Sequence, residues 1–85
     1  MARKKLSKGW IRETSDENSN VFRWYEKGNT TASLVQGDHE NEAEWRISGN
    51  FGSLESRGGK NLMLKKSDAQ NIRIIETLIR REKFM

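Results

Sequence analysis

The sequence predicts an α+β fold: an antiparallel meander of four to six short strands packed by one C-terminal helix. Three features carry this. Short segments alternating apolar with polar residues lie between turn clusters throughout residues 9–64. A helical pattern follows over 67–85, where Ile72, Ile75 and Ile79 recur at helical spacing with Ile74 and Leu78 beside them. The strands all precede the helix instead of alternating with it, which favours antiparallel pairing over a parallel α/β sheet.

Taken in order, residues 1–8 read as a flexible basic arm. Gly9 to Thr14, centred on Trp10 and Ile11, is a strand candidate, and Ser15 to Asn20 is a polar turn cluster. Val21 to Glu26 is the strongest strand signal, with Phe22 and Trp24 alternating against Arg23 and Tyr25. Lys27-Gly28-Asn29 suits a hairpin turn, and Thr30 to Gln36 is the return strand, with Ala32 and Leu34 on one face and Val35 on the other. Gly37 to Glu42 is an acidic loop. Ala43 to Ser48 forms the next strand, Gly49-Asn50 a turn, and Phe51 to Glu55 a strand weakened by Gly52. Ser56 to Asn61 reads as a flexible basic loop and Leu62-Met63-Leu64 as a last short strand. The helix opens at Ser67, with Gln70 three residues on, as a capping box requires. The expected core is Trp10, Phe22, Trp24, Leu34, Trp45, Ile47 and Leu64 against Ile72, Ile75 and Ile79.

Eighty-five residues make one domain. A chain of this size buries only about 60–65% of its unfolded surface. With no cysteine, neither disulfides nor thiolate metal sites can add stability, so a homodimer is the expected remedy. The wide apolar side of the helix, including Ile74 and Leu78, fits either a deeply sunk helix or a dimer seam. No proline is present, so edge strands must be blunted by charge, by shortness or by pairing with a partner. The basic start has no apolar run after it, and no stretch approaches the ~20 apolar residues that span a membrane. The expected location is cytoplasmic, without membrane contact.

The net charge of +4 is unevenly spread. Residues 1–12 hold five bases and no acid, residues 57–66 four bases and no acid, and residues 13–56 nine acids against three bases. Such segregation predicts a molecule with a positive and a negative side. Mobile cations, glycines that admit a phosphate and a nearby helix N-terminus together suit nucleic-acid backbone contact. The residues expected to bind phosphate are Arg3, Lys4, Lys5, Lys8, Arg57, Lys60, Lys65 and Lys66, with Arg73, Arg80 and Arg81 behind them. Tyr25, placed on the open sheet face if Trp24 is in the core, is the expected base-stacking residue. Ser56-Arg57-Gly58-Gly59-Lys60 lacks the spacing of a phosphate-binding P-loop.

The stretch Asp38-His39-Glu40-Asn41-Glu42-Ala43-Glu44 offers four carboxylates and the sole histidine, yet lacks a calcium-loop signature. It reads as a solvated tip or a contact for a basic protein. No cysteine nucleophile exists, and His39 lies in a loop where a general base would be poorly held. The expectation is no enzyme, no cofactor and no metal.

The basic block Met1 to Lys8, the sheet residues Trp24-Tyr25 and Trp45, and the helix from Ile72 to Arg81 together resemble small phage-encoded accessory proteins, most of all the TifA kind of RNA-dependent inhibitor of toxin–antitoxin endoribonucleases. That resemblance implies RNA binding, self-association and anti-defence activity against a host toxin in the host cytoplasm. It assigns no individual residue. The alternatives are a protein-binding inhibitor of a host factor without nucleic-acid contact, through the acidic loop or a spare sheet edge, and a DNA-binding sheet-plus-helix module.

Overall fold

The computed structural model describes residues 3–13 and 20–83, with the backbone alone at Lys83. The turn expected over Ser15 to Asn20 therefore lies outside the described residues except for Asn20. So do Thr14 and the first two residues of the basic arm. Six strands follow one another: β1 (Arg3–Lys5), β2 (Ile11–Glu13), β3 (Val21–Lys27), β4 (Thr30–Gln36), β5 (Glu42–Gly49) and β6 (Gly52–Gly59). A short helix α1 (Lys60–Leu64) and the long helix α2 (Asp68–Lys83) follow among the described residues. Every strand pairs antiparallel with its sequence neighbours, so spatial order equals chain order. The α+β meander under a C-terminal helix is the architecture expected from the sequence.

Local chemistry fixes several boundaries. The β3–β4 hairpin closes on Gly28 and Asn29, with Gly28 at φ +58°, a left-handed value that glycine adopts without Cβ strain. At the start of α2, Gln70 N–H donates to Ser67 Oγ at 3.3 Å, and Ser67 N–H donates to Gln70 Oε1 at 2.9 Å. Both halves of the capping box are therefore formed.

Three segments differ from expectation. Arg3–Lys5 is an edge strand against β2, followed by a 3-10 turn at Ser7–Gly9, where a free arm was expected. β6 runs through Gly59, so the basic loop expected at 56–61 is mostly strand. Leu62, Met63 and Leu64 lie in α1, not in a strand. A short apolar run does not distinguish strand from helix by periodicity, and here its packing over β5 and β6 decides.

The core comprises Trp10, Tyr25, Ala32, Leu34, Ala43, Trp45, Ile47, Ile72 and Ile75. Phe22, Leu64, Ile74, Leu78 and Ile79 are partly buried against it, so the flank of α2 carrying Ile74 and Leu78 is sunk rather than free. Trp24 and Tyr25 have exchanged their expected places. Register puts Tyr25 in a row with Arg12, Ala32, Ile47 and Leu54 beneath α2, and Trp24 in a row with Glu13, Ser33, Arg46 and Glu55 on the uncovered face. The cause is a bulge. Val21 pairs with Val35 and Arg23 with Leu34, so Phe22 is an extra residue that shifts the phase of the strand. Phe22 and Tyr25 can thus both serve the core although they are three apart. Val35 stays on the uncovered face yet is only 8% exposed.

Candidate nucleic-acid interface

The cations singled out in the sequence fall into two groups. The first is consumed within the molecule. Arg3 pairs with Glu13 at 3.1 Å and Glu26 at 3.5 Å, and Lys8 with Glu76 at 3.6 Å. Arg57 faces three acids at once: Asp38 at 3.1 Å and Glu42 and Glu44 at 3.9 Å. Lys60 Nζ donates to Gln36 Oε1 at 3.1 Å and lies 5.1 Å from the Phe22 ring centroid. These pairs join strands and the helix across register, and a phosphate would have to displace their carboxylates.

The second group makes no ion pair among the described residues: Lys4, Lys5, Lys65, Lys66, Arg73, Arg80 and Arg81, all exposed. Lys5 lies on the uncovered face, in line with Ile11 and Glu26. The other six lie on the helix side of the sheet. Lys65 and Lys66 precede α2, Arg73 and Arg80 lie on its solvent crown with Thr77, and Arg81 lies toward the Ile74 and Leu78 flank. Lys4 aligns with Arg12 and Tyr25 beneath the helix start, close enough to act on the Asp68 carboxylate. At 1.5 Å per residue, the sixteen residues of α2 extend this ridge over about 24 Å. Two shallow depressions flank it. One of ≈ 290 Å³ has Ile74, Thr77 and Leu78 between Arg73 and Arg81. The other, ≈ 370 Å³, brings Arg80 beside Trp10, Lys27 and Glu76.

Beneath the ridge, a polar network ties helix to sheet. Arg12 Nη1 donates to Asp68 Oδ2 at 3.1 Å, the Tyr25 hydroxyl donates to Asp68 Oδ1 at 2.6 Å, and Asn71 Nδ2 donates to the Tyr25 oxygen at 3.0 Å. Burial, reinforced by its bond to Asp68, pushes the Tyr25 hydroxyl up to about 12. Burial alone would raise Asp68, but the bonds from Tyr25 and Arg12 and the charges of Arg12 and Lys4 outweigh it and hold the carboxyl below its ordinary range. Tyr25, expected to stack a base, is fully buried and serves this network instead. Trp24 takes the uncovered face, its indole N–H donating to Glu26 Oε1 at 2.8 Å.

That uncovered face has no positive excess. Glu13, Glu26, Glu42, Glu44 and Glu55 share it with Arg3, Lys5, Arg46 and Arg57. Glu44 is 2% exposed. A hydrogen bond with the Glu55 carboxyl, followed by burial, raises its pKa above the ordinary value. The acidic loop between β4 and β5 is held by Gln36, whose Nε2 donates to His39 O at 2.7 Å and Glu42 O at 3.1 Å. Among the described residues, no three His, Cys, Asp or Glu side chains converge in a way that could hold a metal ion. Among the described residues no helix is long and apolar enough to cross a membrane.

No protein family, curated protein or solved structure matches the chain.

Proposed function

We propose that this protein binds nucleic acid, RNA before DNA, through phosphate contacts along its helix layer. One observation carries the reading: of the eight exposed cations without an ion pair among the described residues, Lys27 included, all but Lys5 lie on the helix side of the sheet, while Arg3, Lys8, Arg57 and Lys60 are already engaged. Lys65, Lys66, Arg73, Arg80 and Arg81 form the binding ridge, with Lys4 at its end. Such contacts attach a strand without reading its bases. In line with the resemblance noted in the sequence, the biological role is that of a phage accessory factor that antagonises a host toxin–antitoxin endoribonuclease in the host cytoplasm.

The test is binding to a generic labelled RNA across a salt series, with single- and double-stranded DNA alongside. Five phosphate contacts on a single strand give a slope of log K against log salt of about −3 to −4. Arg73→Glu with Arg80→Glu is expected to weaken binding at least about tenfold and flatten the slope by about 1.5, whereas Arg57→Gln leaves both nearly unchanged. Absence of binding to all three nucleic acids at low salt would overturn the reading.

A second reading has its own observation. The Gln36 clamp presents exposed His39 and Glu40 on a fixed acidic tip, which suits a basic host protein. It predicts a stoichiometric protein complex that survives nuclease and is lost in Glu40→Lys. A DNA-binding module that inserts its sheet into a groove is less favoured, because the uncovered face carries five carboxyls.

A further inference from the structure

The two edges of the sheet are guarded very differently. β1 is three residues long and reads Arg-Lys-Lys, so shortness and charge both discourage a further strand. β6 is eight residues long, contains no proline and no lysine, and among the described residues pairs only with β5. Its one cation, Arg57, is turned onto the uncovered face by Asp38, Glu42 and Glu44 and leaves the backbone edge clear. Unpaired backbone donors and acceptors along such an edge form a template for another strand.

We infer that β6 pairs antiparallel with β6 of a second copy of this chain, on a two-fold axis through Ser56, to give a continuous twelve-stranded sheet. The register follows from the side chains. A two-fold perpendicular to the sheet keeps the pleat in phase only if each residue meets one on its own face. Centred on Ser56, it sets Glu55 opposite the second copy's Arg57 and Arg57 opposite its Glu55, two opposite-charge cross-strand pairs. Moving the centre one residue back sets Glu55 against Glu55, and one residue forward sets Arg57 against Arg57.

On the helix side, Ser56 faces Ser56 and Leu54 faces Gly58. A side chain at Gly58 would collide with Met63, whose Sδ stands 2.9 Å from the position a Cβ would occupy. The second copy's Leu54 therefore finds Met63 across the seam. Beside it, at the end of the same edge, stands Leu62, 70% exposed and the single exposed large hydrophobic among the described residues. The edge thus supplies backbone pairing, charge complementarity and an apolar neighbour for Leu62 together. Both copies keep their helices on the same side, so the two cationic ridges face the same way.

Because the chain has no cysteine, single substitutions report the register cleanly. In Ser56→Cys the two thiols stand opposite each other, with Cβ atoms about 5 Å apart. In Ser53→Cys they are separated by six residues along the strand, about 20 Å. Air oxidation should convert S56C to a covalent dimer on a non-reducing gel and leave S53C monomeric. Unmodified protein should sediment as a dimer at about 100 µM. Glu55→Arg places like charges together twice across the seam and should raise the dimer dissociation constant about tenfold. Equal cross-linking of S53C and S56C, or a monomer in sedimentation, would overturn the inference. None of these readouts involves nucleic acid, so they stand or fail apart from the RNA-binding experiment.

Discussion

Asp68 and Glu44 lie on opposite sides of the same sheet, each beside arginine, and their proton affinities move in opposite directions. Asp68 is approached by Arg12 at 3.1 Å and receives the Tyr25 hydroxyl at 2.6 Å, so its charged form is favoured despite burial. Glu44 has two arginines nearby, but Arg46 at 3.8 Å and Arg57 at 3.9 Å lie beyond hydrogen-bond reach, and its hydrogen-bond partner is the Glu55 carboxyl. Proximity of opposite charge is therefore not what separates them. Direct hydrogen bonds to the ionised oxygens stabilise the charge at Asp68, and a second carboxyl in their place favours the proton at Glu44.

The comparison breaks most sharply at Asp68. Asp68→Ala removes the acceptor of both Arg12 and the buried Tyr25 hydroxyl, and should cost about 2–4 kcal/mol in urea unfolding at pH 7. Because the folded-state pKa of Asp68 lies below its ordinary value, its stabilisation is complete above that ordinary value and is lost as pH falls through the folded one. The gap between wild type and Asp68→Asn should thus be constant from about pH 5 to 7 and close below about pH 4.

Tyr25→Phe is milder. It keeps the ring in the core but strands the Asn71 amide, whose Oδ1 already lacks a partner, and should cost about 1–2 kcal/mol. A loss equal to that of Asp68→Ala would mean the Arg12 bond contributes nothing.

The smallest effect has the opposite sign. Glu44 has a raised pKa, so its contribution favours the fold below its ordinary value and is lost as pH rises through the folded one. Glu44→Gln keeps a donor for Glu55 and should raise the melting temperature by a few degrees at pH 7, with the gain vanishing near pH 4. A lower melting temperature at pH 7 would show that Arg46 and Arg57 outweigh the Glu55 contact.

The strands and the helix start were legible because their signals are local. Alternation marks β3, β4 and β5, and Ser67 with Gln70 marks the start of α2 within four residues. The face of β3 was not legible, since a single bulge at Phe22 reverses which of Trp24 and Tyr25 is buried, and no local signal announces a bulge. Nor was the fate of the cations. Arg57 and Lys60 stand in a run without acids, but β5 sets Glu42 and Glu44 beside Arg57, and Gln36 reaches Lys60 from β4. The alternation of Glu42 and Glu44 was a usable hint that a neighbouring strand would supply their partners. The second-tier residues Arg73, Arg80 and Arg81 fared better because a helical period alone places them away from the sheet.

The order of elements bears on how the chain reaches this structure. Each strand meets the one before it, so the sheet can grow hairpin by hairpin through short loops. The helix that covers it comes after all six, and its bonds to Trp10, Arg12 and Tyr25 close separations of 43–66 residues. During synthesis, Trp45, Ile47 and Leu34 stay wet until α2 has left the ribosome tunnel, and the loop-closure entropy of docking it falls on one late step. Folding should therefore be paced by helix docking, with the nascent sheet the state a chaperone or protease meets.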